Sequence, residues 1–253
     1  MMDDNNDMNA YPMHPFHLKD GQFRVLEQRV PIEVQMAYFK NSNRLRRENI
    51  TIDESDFDMC LKDLHDEELE PEHKKDILAT LAQARNVKAY RLLEEYAREP
   101  LDPEIINWTY MALMESRIFL ESEFLEEKQI YIATGLGGKG HRLRFYVVMF
   151  AARREEPFLD YQHQAIEREL AYCLPQDDCE IERLAMHGLY VELVLLAPVQ
   201  KHIGKILNRV LGECNQYGGF ISSAYMVTNV KEPSEEDIRK MIDDKYGKVQ
   251  DTI

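Results

Sequence analysis

Apolar and polar positions along this chain follow two different periods, and the change falls near residue 128. Before it, apolar residues recur every three or four positions, the spacing of one helix face. Phe57, Cys60, Leu61 and Leu64 form one stripe behind the capping run Asp53-Glu54-Ser55. Pro71 separates a second stripe (Ile77, Leu78, Leu81, Ala82), and Asn86 punctuates the chain before a third (Val87, Tyr90, Leu93, Tyr96). Pro100 and Pro103 break that helix, and a longer one follows through Ile105, Trp108, Ala112, Leu113, Phe119 and Leu120. From Phe23 to Arg47 the pattern is weak, with Pro31 placed to open a helix and the basic cluster Arg44, Arg46, Arg47 at its end. Residues 1–20 lack periodicity and read as a flexible acidic tail. Pro12 and Pro15 argue against the helix that would bring His14 and His17 to one metal ion.

After residue 128, alternation takes over, the period of a half-buried strand. It predicts strands over 129–134, 141–152, 179–186, 189–197 and 220–230, with helices over 159–174 and 199–214. The run GLGGKG, Gly135 to Gly140, is the turn between the first two strands, and Ser234 caps a terminal helix. From residue 142 onward the order is β-α-β-β-α-β.

That order is the signature of the ferredoxin-like split βαβ sandwich, which residues 142–230 resemble. In the helical half, HKKDILATLAQARNVKAYRLLEEYAREPLDPEIINWTYMALMES resembles a HEAT or armadillo-type repeat over roughly residues 72–125. The resemblance implies an α-hairpin stack of the kind often used to hold partners. The expected fold class is α+β in three parts. They are a tail at 1–20, a HEAT-like helical domain at 21–127, and a ferredoxin-like antiparallel sheet with two helices at 128–253. Strand 129–134 is expected as an extra hairpin strand, antiparallel to the first strand of the sandwich.

Charge narrows the function classes. The 253 residues carry 46 acids and 31 bases, net −15, and residues 1–127 alone hold 28 acids against 15 bases. Such acidity disfavours nucleic acid and anionic membranes, whose phosphates call for clustered Lys and Arg. No apolar run reaches the ~18 residues of a membrane span. The four cysteines form no C-x-x-C pair, so neither zinc nor a redox motif is indicated, and no cofactor is implied. With an acidic, polar start in place of a leader, a cytoplasmic protein with reduced thiols is expected.

GLGGKG does not satisfy a P-loop. Ala133 stands where the first Gly is required, Gly140 where Ser or Thr would hold magnesium, and a strand follows instead of a helix. Next to it, Lys139, Arg142, Arg144, Arg153 and Arg154 form a stretch without an acid. Alternation puts Arg142, Arg144, Tyr146 and Val148 on one strand face, with Leu143, Phe145, Val147 and Met149 on the other. The apolar set should meet the helices and leave the Arg and Tyr side open. The candidate ligand or partner residues are therefore Gly137, Gly138, Lys139, His141, Arg142, Arg144 and Tyr146.

No catalytic or metal-binding constellation stands out among the eight scattered histidines. Cys179, beside Asp177, Asp178 and Glu180, is a poor nucleophile. Together these features read as a non-enzymatic protein–protein interaction or adaptor protein, with a second copy able to dock on the open sheet face. The alternatives are a small-molecule regulatory module, because ACT-type βαββαβ domains resemble the second half, and an enzyme with Lys139, His141 and Arg142 as contacts for an anionic substrate.

Overall fold

The structure, a computed structural model, describes residues 23–99, 103–125 and 130–247. The tail expected at 1–20, with His14 and His17, lies outside the described residues. The fold is a mixed α+β architecture. A short strand β1 (Phe23–Val25) leads into α1 (Ile32–Arg47), α2 (Phe57–Leu64), α3 (Pro71–Gln83), α4 (Val87–Arg98) and α5 (Ile106–Leu125). Then come β2 (Ile130–Ile132), β3 (Gly138–Lys139), β4 (Arg142–Ala151), α6 (Asp160–Cys173), β5 (Glu180–Met186), β6 (Tyr190–Pro198), α7 (Ile203–Asn215), β7 (Ile221–Thr228) and α8 (Glu235–Tyr246).

The helical half packs around α5. Tyr38 and Leu45 of α1, Leu78 and Leu81 of α3, Leu93 and Tyr96 of α4, and Met111 and Ala112 of α5 are all fully buried in one cluster. Pro71 sits in the first turn of α3, where its missing N–H has no helical partner to lose, and the Asn86 side chain caps α4 by accepting from Lys88 N. The HEAT-like stack needs correction at this point. In a repeat array each hairpin meets only its neighbours, whereas α1 here also packs on α5, beyond the neighbouring α3/α4 hairpin. The arrangement is a bundle around one long helix.

The second half is an antiparallel sheet in the order β7-β4-β6-β5, with α6 and α7 on one face. Strand β4 is central: Val147 pairs with Leu193 of β6 on one side and Val227 of β7 on the other. Val147, Met149, Leu193 and Leu195 point into the α6/α7 core with Ile166, Leu170, Leu207 and Val210, all fully buried.

Two expectations change. Strand β2 does not pair with the sandwich; it runs parallel to β1, Phe23 opposite Ile130 and Val25 opposite Ile132, in a separate two-stranded sheet. The β4 edge it was expected to fill holds β3 at one end, Gly138 opposite Leu143, and β7 along the rest. Nor is the second sheet face open. Helix α8 lies on it, its Ile238 and Ile242 packed with Leu136, Tyr146, Val148, Phe150 and Val194. This occupied face is therefore unavailable to a second copy. Among the described residues, no helix is long and apolar enough to cross a membrane.

Candidate active site on the second face of the sheet

The glycine-rich segment is a buried joint. Residues 134–138 are buried, and the amides of residues 136–138 are committed to acceptors of the chain itself. Leu136 N–H donates to Asn229 O (3.0 Å), Gly137 N–H to Thr134 O (3.1 Å) and Gly138 N–H to Glu27 O (3.4 Å). Gly140 N–H reaches the Glu27 carboxylate at 3.1 Å. A phosphate cradle needs such donors free, so this loop serves to lock segment 26–28 and residues 229–230 against β4. Glycine is required for closeness: a Cβ at Gly135 would fall 1.7 Å from Val230 O, and one at Gly138 would fall 2.1 Å from Arg142 O.

The neighbouring cations are engaged as well. Lys139 and Arg142 reach Glu180, Arg142 also reaches Asp178, Arg144 forks onto Glu182, Arg153 meets Glu156 and Arg154 meets Asp243. The Arg144 hydrogen bond holds the Glu182 carboxyl below its ordinary range. Burial works against ionisation of Glu232, yet Arg183 and Arg29 flank it and keep it below the usual range too. His141 is exposed at the tip of the β3–β4 turn. Burial, followed by the Asp177 charge, pushes the Cys179 thiol up to about 11.

Tyr146 leads to a cluster that the sequence did not single out. Alternation places Tyr146 and Val148 of β4 on the α8 face together with Tyr190 and Glu192 of β6, Val148 directly opposite Glu192. The Tyr146 phenol is almost wholly buried and donates to Glu192 Oε2. On the other side of the same carboxylate, His187 Nε2 lies 3.0 Å from Oε1, without the alignment of a hydrogen bond. His187 sits in the short turn between β5 and β6, and its ring stacks on Tyr190 at 4.2 Å and 13°. Its carbonyl faces His163 Nε2 of α6 at 3.3 Å. Burial, then the hydrogen bond to Glu192, raises the Tyr146 phenol far above its ordinary value, so it stays protonated and acts as a donor.

One carboxylate thus joins a fixed phenol to a half-exposed imidazole. Such a dyad can take up or deliver a proton at the imidazole while the carboxylate steadies the ring. Tyr146 was visible in the sequence as a residue of this face. His187 and Glu192 come together only through the β5–β6 pairing, and a turn His followed five residues later by a strand Glu carries no local signal.

No protein-family model matches the chain, and no curated protein matches it. Among solved structures, it is similar to a "putative transposase" from Deinococcus radiodurans R1, with 19% identity over 42% of this chain and 93% of that one, TM-score 0.38. It is also similar to a REP-associated tyrosine transposase bound to a REP hairpin, with 10% identity over 40% of this chain and 62% of that one, TM-score 0.32. The expected non-enzymatic adaptor, with nucleic acid disfavoured as a partner, is given up because the structure removes what it rested on: α8 covers the sheet face meant for a partner, the repeat array is a bundle, and a Tyr–Glu–His cluster has assembled.

Proposed function

We propose that this protein is an enzyme acting on nucleic acid, with acid–base chemistry centred on His187. The observation that carries the reading is the shared Glu192 carboxylate, 3.0 Å from His187 and hydrogen-bonded by Tyr146. In this reading His187 exchanges a proton with the reacting oxygen, Glu192 orients and charges the ring, and Tyr146 fixes Glu192 from behind. Nucleic acid is the substrate class to test first, since the stacked His187–Tyr190 pair at the rim offers a surface for a base.

The test is to incubate the protein with single-stranded and hairpin DNA and RNA and follow binding and strand breakage, comparing wild type with His187→Ala and Glu192→Gln. Breakage by wild type that falls at least ~100-fold in His187→Ala, with binding kept, is the expected result. Wild-type protein that neither binds nor cleaves any of these strands overturns the reading.

A further inference from the structure

Away from that face, the helical half carries a cleft of about 430 Å³ between the end of α1, the segment 49–54 and the α3–α4 turn. Its volume suits one small molecule. Phe119 of α5 forms part of the wall, and two guanidinium groups stand over its ring: Arg46 at 5.6 Å and Arg85 at 4.9 Å from the centroid. Their charges are differently placed. Arg46 is held by Glu115, itself buried, at 2.8 Å. Arg85 makes no ion pair among the described residues, nor does Asp53 on the same cleft. Glu54 adds a second carboxylate, steadied by Asn86 at 3.0 Å.

The backbone is also shaped here. Only three non-glycine residues among those described have positive φ, and two of them, Asn49 (52°) and Arg85 (50°), line this cleft. A left-handed arginine costs about 1 kcal/mol or more. At Arg85 that conformation ends α3, with the side chain stacked on Phe119.

We propose that this cleft binds a small zwitterion, a free α-amino acid, whose carboxylate meets Arg85 and whose ammonium meets Asp53 and Glu54. The apolar remainder lies against Ile50 and Ile52, which line the same cleft. An unmatched cation and unmatched anions lining one cleft suit a ligand carrying both charges, whereas a multiply charged phosphate would meet the two acids unfavourably.

The test is thermal-shift and calorimetric titration of the whole protein with the twenty free L-amino acids. Any binder is then compared with its decarboxylated amine and its N-acetyl derivative. The expected result is saturable stabilisation by at least one amino acid. Affinity should fall about tenfold or more for both derivatives, for Arg85→Asn and for Asp53→Asn. Asn tolerates the left-handed backbone, so Arg85→Asn removes the guanidinium without adding strain. The proposal is overturned if no amino acid binds, if either derivative binds as well as the parent, or if Arg85→Asn binds unchanged.

Discussion

Tyr38 of α1 donates its phenol hydrogen to Glu115 of α5 at 2.7 Å, and both side chains are buried. Ser42, one turn further along α1, donates to the same carboxylate at 2.8 Å, and Arg46, another turn on, at 2.8 Å. Three donors spaced by four residues thus converge on one charge, tying α1 to α5 over about two turns. Replacing Glu115 with Ala leaves two buried hydroxyls and a guanidinium without their acceptor. The expected loss is on the order of 3 kcal/mol, read from urea unfolding. A loss under ~1 kcal/mol would mean that water replaces the carboxylate.

Stability should fall at alkaline pH. Burial, followed by Glu115, raises the Tyr38 phenol well above its ordinary value. Burial with Glu121 does the same for Tyr131, and burial with Glu192 for Tyr146. For a group whose folded value is raised, the contribution is complete below the unfolded value of about 10 and is lost as pH climbs toward the folded value. Unfolding free energy should therefore begin to fall above about pH 8.5, where the thiols of the four buried cysteines ionise in the unfolded chain, and drop more steeply beyond pH 10, Tyr38 alone contributing up to ~1.4 kcal/mol per pH unit. Tyr38→Phe should flatten that slope; an unchanged slope would remove Tyr38 from the account.

Two glycines of one loop should respond unequally to alanine. Gly137 has φ +65°, and a Cβ there would stand 2.5 Å from the carbonyl oxygens of both Glu27 and Gln28. Gly140 has a similar φ of +61°, but a Cβ there meets nothing within 4 Å. Gly140→Ala should cost only the backbone term of about 1 kcal/mol. Gly137→Ala adds a collision with main chain that cannot move aside cheaply, and should cost several-fold more, about 3–5 kcal/mol. Equal losses in equilibrium unfolding would contradict the buried-joint description.

If nucleic acid binds at the His187 rim, its affinity should depend weakly on salt. Each of the five bases from Lys139 to Arg154 already faces an acid, so few are left to displace counterions. A log–log slope of about −1 to −2 is expected, corresponding to roughly two phosphate contacts. A slope steeper than about −4 would place the contacts elsewhere on the surface.

What the sequence made legible was mostly local. Periodicity was enough to place the β-α-β-β-α-β order and the two faces of β4, Val147 and Met149 toward α6 and α7, Tyr146 and Val148 away from them. Relations across long stretches of chain were not legible. Nothing near Ile130 announces that its partner is Phe23, and a three-residue parallel pair is too short to imprint a pattern. Helix α8 reads as an ordinary capped helix; that Ile238 and Ile242 cover Tyr146 depends on where the preceding segment returns. The free-looking cations misled for a similar reason, since Arg144 finds Glu182 only once β5 is beside β6 and β6 beside β4. The cluster around Glu192 was hidden likewise, with Tyr146, His187 and Glu192 coming from a strand, a turn and another strand.

The parallel pairing of β1 with β2 has a consequence for synthesis. As the chain leaves the ribosome, residues 23–28 emerge before all five described helices of the first half, yet their hydrogen-bond partners, Ile132, Gly138 and Gly140, follow them. The helical bundle can condense on its own short-range contacts while this leading segment still lacks its mates. Closure then waits for the glycine-rich segment to leave the ribosome, so the first described strand is among the last to be fastened, after α5 has emerged and the bundle can already have packed around it.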